Sequence, residues 1–398
     1  LNTDFPQALL DLGIAGGNVP NTLAAALAVN DRLFDTRNLS NVSGEYKITK
    51  GLTFKTTVGA DLSYRGRNTY YPRTTLQGFG QNGRAIRGTT NNISTLNENT
   101  LSYNGSIGSK HVFSAVAGYT RQKLNSVRSD VRNSNFVSDI TGFEDIGAGA
   151  QPGGPTVSSG RTEWTLASYL GRFNYTLLDR YLFSVTGRRD GSSRFGADNR
   201  WGVFPAGAVA WRVSEEPFMR KVSAIDNLKL RYTYGVVGNP SISPYQSLTR
   251  LSPQQYTFNG QLAPGYFPAA IGNPTLTWES TTQNNYGMEH TMLMGRVELV
   301  VDQYTKRTDD LLLQIDIPSE VGYTNAFVNA GSIENRGLEA GLTLRVLEGG
   351  DDRKGFAWST TFNYTRNRNK VLSLGGVDRM VPSQRTASDI NATSSVVQ

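Results

Sequence analysis

Cysteine is absent from all 398 residues, which removes disulfides, thiolate catalysis and cysteine metal sites. Histidine is nearly absent. His111 and His290 each stand alone in strand-like segments with no partner at metal-ligand spacing. Long apolar runs are missing too. The longest, at residues 22–29, falls far short of the roughly 20 residues a spanning helix needs. That excludes a helix-spanned membrane protein but not a barrel, which hides its apolar content in every second residue. There is no initiator Met and no signal peptide. The chain starts in a loop-like stretch at Leu1 and ends in polar residues with no final aromatic strand. Both ends read as cut, so an interior piece of a longer protein is expected.

What the chain does have is 18 Tyr, 17 Phe, 5 Trp and 42 Gly, set in alternating patterns with almost no helical periodicity. From Ala167 the odd positions run Ala167, Tyr169, Gly171, Phe173, Tyr175 and Leu177, and the even ones run Ser168, Leu170, Arg172, Asn174 and Thr176. Beyond a turn at Leu178-Asp179, Tyr181, Phe183 and Val185 oppose Arg180, Ser184, Thr186 and Arg188. Successive strand side chains face opposite ways, so this is a hairpin with one greasy and one wet face. Such a wall suits a boundary between lipid and a watery lumen.

The pattern recurs about a dozen times, predicting strands near 38–48, 52–66, 98–108, 111–125, 164–177, 180–190, 200–212, 227–237, 279–292, 296–307, 334–347 and 356–369. Every other connection is short. The connections between them, around 67–97, 126–163, 238–278 and 308–333, are long and rich in Gly, Pro, Asn and Ser, with 191–199 a shorter member. Tight turns at one end and large loops at the other are the layout of an outer-membrane barrel. The fold class expected is all-β, a transmembrane antiparallel β-barrel. Phe54, Tyr169, Phe183, Tyr232, Leu342 and Phe362 are expected to face lipid. Lys55, Arg172, Ser184, Arg231, Glu339 and Asn363 are expected to face the lumen.

No catalytic constellation emerges, so an enzyme is not expected, and neither is a cofactor. Gly78-Phe79-Gly80-Gln81-Asn82-Gly83 matches GxGxxG, yet loop-like residues flank it instead of the strand and helix a dinucleotide site needs. Asp190, Asp198 and Asn199 flank a glycine-rich turn and offer oxygens for a hard cation such as calcium, but at a spacing unlike an EF-hand, which favours a hydrogen-bonded loop anchor. Ser192 and Ser193 have no base nearby. The acidic pairs Asp309-Asp310 and Asp351-Asp352 read as solvated loop charge. The net charge of +7 comes from scattered Lys and Arg, and the densest set is Arg366, Arg368 and Lys370, alternating with Asn. A nucleic-acid footprint requires a contiguous patch. Aromatics gather in the long connections. Of these Tyr245, Tyr256, Phe258, Tyr266 and Phe267 are the substrate-binding candidates, since exposed rings stack on sugars or pack on peptides. The same rings also serve to hold large loops together.

Several ordered motifs carry a resemblance. Ser168-Tyr169-Leu170-Gly171-Arg172-Phe173-Asn174-Tyr175, Asp179-Arg180-Tyr181-Leu182 and Asp190-Gly191-Ser192-Ser193-Arg194-Phe195-Gly196 come first. Asn199-Arg200-Trp201-Gly202, Trp211-Arg212-Val213-Ser214-Glu215-Glu216, Asn273-Pro274-Thr275-Leu276-Thr277-Trp278-Glu279 and the run from Asn329 to Glu339 follow in order. Together they resemble the SusC/RagA family of TonB-dependent outer-membrane transporters over roughly 38–375. The resemblance implies a parent barrel of about 22 strands with a plugged lumen. It implies import of oligosaccharides or peptides across the outer membrane of a Gram-negative bacterium, beneath a SusD-like lipoprotein lid and driven by the TonB–ExbB–ExbD complex. On this view residues 1–398 are the central portion of one barrel domain, without its plug and terminal strands. The motifs themselves look architectural, and no ligand residue is carried over from them. The alternative is a structural or adhesive surface β-protein without transport.

Overall fold

A computed structural model describes residues 27–375 apart from 220, 319, 321, 324 and 348–354. The acidic pair Asp351-Asp352 and the chain ends therefore lie outside the described residues. All twelve expected strands are present in one antiparallel sheet without crossovers. In chain order they are β1 (Asn30–Thr49), β2 (Leu52–Tyr71), β3 (Arg84–Ile107), β4 (His111–Ser134), β5 (Thr156–Leu177), β6 (Tyr181–Ser192), β7 (Trp201–Arg212), β8 (Ile225–Asn239), β11 (Glu279–Met292), β12 (Val297–Asp309), β15 (Ser332–Leu347) and β16 (Trp358–Ser373). Strands β1 and β16 are its two edges. Two separate hairpins interrupt the series. They are β9 (Arg250–Phe258) with β10 (Gln261–Ala270), and β13 (Leu312–Asp316) with β14 (Asn325–Asn329).

The connections differ from expectation. Strands run on well past the alternating apolar segments, so the long connections shrink to 72–83, 135–155, 240–278 and 310–331, and the last two hold the added hairpins. The reason is visible between β1 and β2. From within the end of the apolar stretch onward, Arg37–Asp61 at 2.7 Å, Arg65–Asp35 at 2.6 Å and Arg67–Asp31 at 2.8 Å bridge the strands. Backbone pairing needs no apolar face, and a cross-strand charge ladder holds register where apolar alternation has ended. Phe356 is also a correction. It precedes β16 and is exposed, leaving Trp358, Phe362 and Tyr364 to carry that strand's apolar face.

The register separates the two expected faces. Arg231 lies opposite Gly287, Gly287 opposite Asp302, and Asp302 opposite Glu339, all on one face. Ser184 lies opposite Ala208 and Ala208 opposite Thr233 on that same face. Arg172 joins it, because Arg172 Nε and Ser184 Oγ both donate to Asn174 Oδ1, at 3.0 and 2.8 Å. On the other face Phe183 opposes Val209, Val209 opposes Tyr232, and Leu342 opposes Phe362. That face is exposed at Tyr169, Phe183, Val185, Val203, Tyr286 and Phe362. Buried apolar side chains lie instead in loops, turns and strand ends, such as Phe136, Phe143, Phe195, Val213, Leu276 and Trp278.

By contacts the chain forms two units. One comprises 1–46, 54–100 and 119–167, and the other 47–53, 101–118 and 168–398.

Candidate functional site

The long connections build their own small cores. In the first unit Tyr70, Ala85, Phe136 and Phe143 pack together, with the Tyr70 and Phe136 rings 5.5 Å apart, edge to face. Tyr70 Oη donates to Asp139 Oδ1 at 2.7 Å, and Asn133 Nδ2 donates to the carbonyls of Ile146 and Gly149. The GxGxxG segment belongs here. It forms the one-turn helix α1 (Leu76–Phe79) and a tight return at Gly83, whose φ is +82°. A Cβ on Gly83 would stand 2.5 Å from Tyr70 Oη, so the glycine serves close packing in a turn.

In the second unit the resemblance motifs converge on Trp278. Its ring packs on Phe195 at 5.4 Å and on Phe204 at 5.3 Å, and its Nε1 donates to the carbonyl of Arg200 at 3.1 Å. Arg194 Nη1 donates to the Pro240 carbonyl, Asn199 Nδ2 to that of Pro274, and Asn273 Nδ2 to that of Phe327. Asn329 ties three segments. Its Oδ1 accepts from Thr277 N, and its Nδ2 donates to the carbonyls of Thr277 and Asp310. Segments from 190–200, 273–279 and 325–335, far apart in sequence, thus form one clamp under the loops. Asp190 sits in an ion pair with Arg188 at 2.7 Å, and Asn199 is a loop anchor. Among the described residues no cluster of three metal-ligating side chains occurs.

The β9–β10 hairpin projects from this clamp. Its register places Tyr256 opposite Ala263, Phe258 opposite Gln261 and Phe267 opposite Ser252, so these three rings share one face. Tyr266, opposite Pro253, lies on the other face, the one that also carries Leu251 and Leu262. Tyr256, Phe258, Phe267 and Tyr266 are all exposed. Tyr245 is separate, half-buried in the preceding turn at a φ of +70°. Of the five candidate residues, then, the structure brings three together. The hairpin itself had a readable signal, Asn259-Gly260, whose φ values of 51° and 74° suit a two-residue turn.

At the opposite end of the strands a residue not singled out from sequence organises the 213–224 turn. Glu216 accepts from Tyr181 Oη at 2.6 Å, Trp211 Nε1 at 3.1 Å and Arg180 Nη1 at 3.2 Å. The Tyr181 and Trp211 hydrogen bonds, with Arg180 behind them, hold its carboxyl below the usual glutamate range. Two shallow grooves cross the polar face. One, of about 330 Å³, lies over the small side chains Ala206 and Ala208 between Arg172, Ser184 and Thr233. The other, of about 340 Å³, lies in the first unit and gathers Arg65, Arg67, Arg128 and Arg132 around Asp130. Both are open to solvent.

Comparison with known proteins bears on this arrangement. Residues 2–391 match the family model described as TonB dependent receptor-like, beta-barrel. TonB-dependent receptor P3 of Formosa agariphila is 35% identical over 360 residues, covering 90% of this chain and 35% of that protein. TonB-dependent receptor SusC of Bacteroides thetaiotaomicron is 39% identical over 223 residues, covering 54% of this chain and 22% of that protein. The solved RagAB peptide transporter superposes with a TM-score of 0.78 at 24% identity, covering 89% of this chain and 39% of the solved one. That likeness shows the fold, an antiparallel transmembrane β-barrel. The chain spans about a third of the length of the Formosa relatives, 34–37%.

Proposed function

The chain belongs to the TonB dependent receptor-like β-barrel family, and on that premise we propose that it forms wall and extracellular loops of an outer-membrane nutrient importer in a Gram-negative bacterium. The solute is an oligosaccharide or a peptide. A SusD-like surface lipoprotein captures it together with the long loops, and the TonB–ExbB–ExbD complex supplies energy to move a plug aside. The chain contributes the central part of the barrel domain, and further strands extend the sheet at β1 and β16.

One observation carries the reading. The sheet keeps an exposed apolar face and an opposed polar face while sending its ordered loops to one end. A protein living in water covers such an apolar face with a second layer. A barrel in lipid leaves it bare. The likeness to SusC and to a peptide transporter supports import over a purely structural role.

Chromosomal deletion of the gene, combined with affinity purification of the tagged protein from detergent-solubilised outer membrane, tests it. The expected result is loss of growth on one glycan or peptide source and co-purification of a surface lipoprotein. A protein that stays in the outer membrane, binds no lipoprotein and whose loss affects no uptake is a structural barrel instead.

A further inference from the structure

The three cations Arg366, Arg368 and Lys370 are not used by the transport reading. They lie on the apolar face. Along β16 that face runs Trp358, Thr360, Phe362, Tyr364, Arg366, Arg368, Lys370, so a greasy half becomes a cationic half toward the long-loop end. The alternating Asn side chains point the other way, where Asn369 Nδ2 donates to Asn335 Oδ1 at 2.9 Å. The neighbouring strands switch at the same place. On β15, Leu342, Ala340 and Leu338 give way to Arg336 and Glu334, and on β12, Leu299 and Val301 give way to Gln303, Thr305 and Arg307.

The charges there do not balance. Arg336 is held by Glu334 at 2.8 Å and Arg307 by Asp309 at 3.0 Å. Arg366, Arg368 and Lys370 are exposed and have no ion-pair partner among the described residues. Lys370 lies opposite Glu334, whose carboxylate Arg336 already takes, and Arg368 lies directly opposite Arg336 on the same face. Like charges so placed repel unless an anion sits between them. The set therefore holds three surplus positive charges at the upper rim of an apolar band.

Resting on the outer-membrane reading, we propose that this ledge binds the phosphate groups of an outer-leaflet glycolipid, its acyl chains lying along Leu338, Phe362 and Tyr364. Charge complementarity favours this occupant, and so does continuity with the apolar band. A soluble anion satisfies the cations but has no use for the greasy half below them. An added strand beyond β16 extends the sheet sideways and leaves this face open.

The test uses the full-length protein reconstituted in phosphatidylcholine vesicles containing either diphosphoryl lipid A or the same lipid without phosphates. Lipid retained after mild detergent extraction is counted by mass spectrometry. Wild type should retain the phosphorylated lipid selectively, and excess inorganic phosphate should not displace it. Arg366→Gln, Arg368→Gln and Lys370→Gln should each weaken retention about fivefold, the worth of one cation at an anionic membrane surface. Equal retention of both lipids, equal retention by the triple variant, or full displacement by inorganic phosphate overturns the ledge. Failure of all variants and wild type alike to insert would instead overturn the reading of the apolar face as a lipid boundary, and the ledge with it.

Discussion

Arg231 on β8 reaches over Gly287 on β11 to place its Nη2 2.7 Å from Asp302 Oδ2 on β12, one strand further on. The reach exists because Gly287 has no side chain. A Cβ there would stand 2.4 Å from Arg231 Nε. Glu289 flanks the same guanidinium at 3.4 Å and takes Lys229 at 3.2 Å, so the polar face carries a three-strand charge network.

The first prediction follows from that reach. Asp302→Asn should cost about 1–2 kcal/mol, because a half-buried guanidinium loses the shorter of its two charged contacts. Gly287→Ala should cost a similar amount by pushing the arginine aside. The two changes remove one interaction, so the double variant should cost clearly less than their sum. Urea unfolding of the protein in detergent micelles measures all three. Additive losses would mean the contact across Gly287 carries no energy.

The loop clamp gives a second prediction. Phe204 is buried between Trp278 and two glycines, and a Cβ on Gly238 would stand 2.0 Å from its ring. A ring packed on backbone cannot yield as a flexible chain can. Gly238→Ala and Phe204→Ala should each loosen the clamp, the latter by about 3 kcal/mol. Limited proteolysis should then cut within 240–278 while the barrel strands stay protected. Unchanged cleavage would show that the loops hold without the Trp278 cluster.

Glu216 provides a pH signature. Its hydrogen bonds favour the charged form, so its folded pKa lies below the unfolded value. A depressed carboxyl stabilises the protein above the unfolded pKa and loses that contribution as pH falls through the folded one. Glu216→Gln should therefore lower thermal stability by a constant amount from pH 7 to about 5. The two proteins should converge only as pH falls through the lowered folded pKa, beneath the ordinary glutamate value of about 4.3. Curves that stay parallel to the lowest pH at which both proteins still fold would assign the loss to packing alone.

These sites also show where the sequence was legible. Alternation from Leu228 to Val236 placed β8 to within two or three residues, since one face must be greasy throughout. It failed at 84–97 and 126–134, where Arg, Asp, Asn and Thr on both faces look like loop and the strand is held by ladder bonds and ion pairs. The turns at Leu178-Asp179 and Leu293-Met294 adopt positive φ without glycine at those positions, so only their flanking strands revealed them. At 250–270 the proline-laden pattern hid a hairpin despite its Asn-Gly turn. The clamp was readable only as familiar motifs. Residues 75 and 78 positions apart meet there by folding, and nothing local announces that Asn329 will tie Thr277 to Asp310.

The last prediction concerns the hairpin. Its ends already meet, because Gly272 N donates to Thr249 Oγ1 at 3.3 Å and the Gly272 Cα lies against the backbone of Leu248 and Thr249. Deleting 250–271 and joining Thr249 to Gly272 should therefore leave the sheet and the Trp278 clamp intact while reducing solute uptake or lid association. The two faces then separate the roles. Tyr256, Phe258 and Phe267 together should contribute about 1 kcal/mol each to a bound partner, so their triple alanine variant should bind roughly a hundredfold more weakly. Tyr266→Ala, on the opposite face, should change little. Binding of solute and of the lipoprotein is measured separately for each variant. If Tyr266→Ala carries the whole loss, the working face is the one with Leu251 and Leu262. If neither variant nor the deletion alters binding or uptake, the hairpin only covers its neighbours.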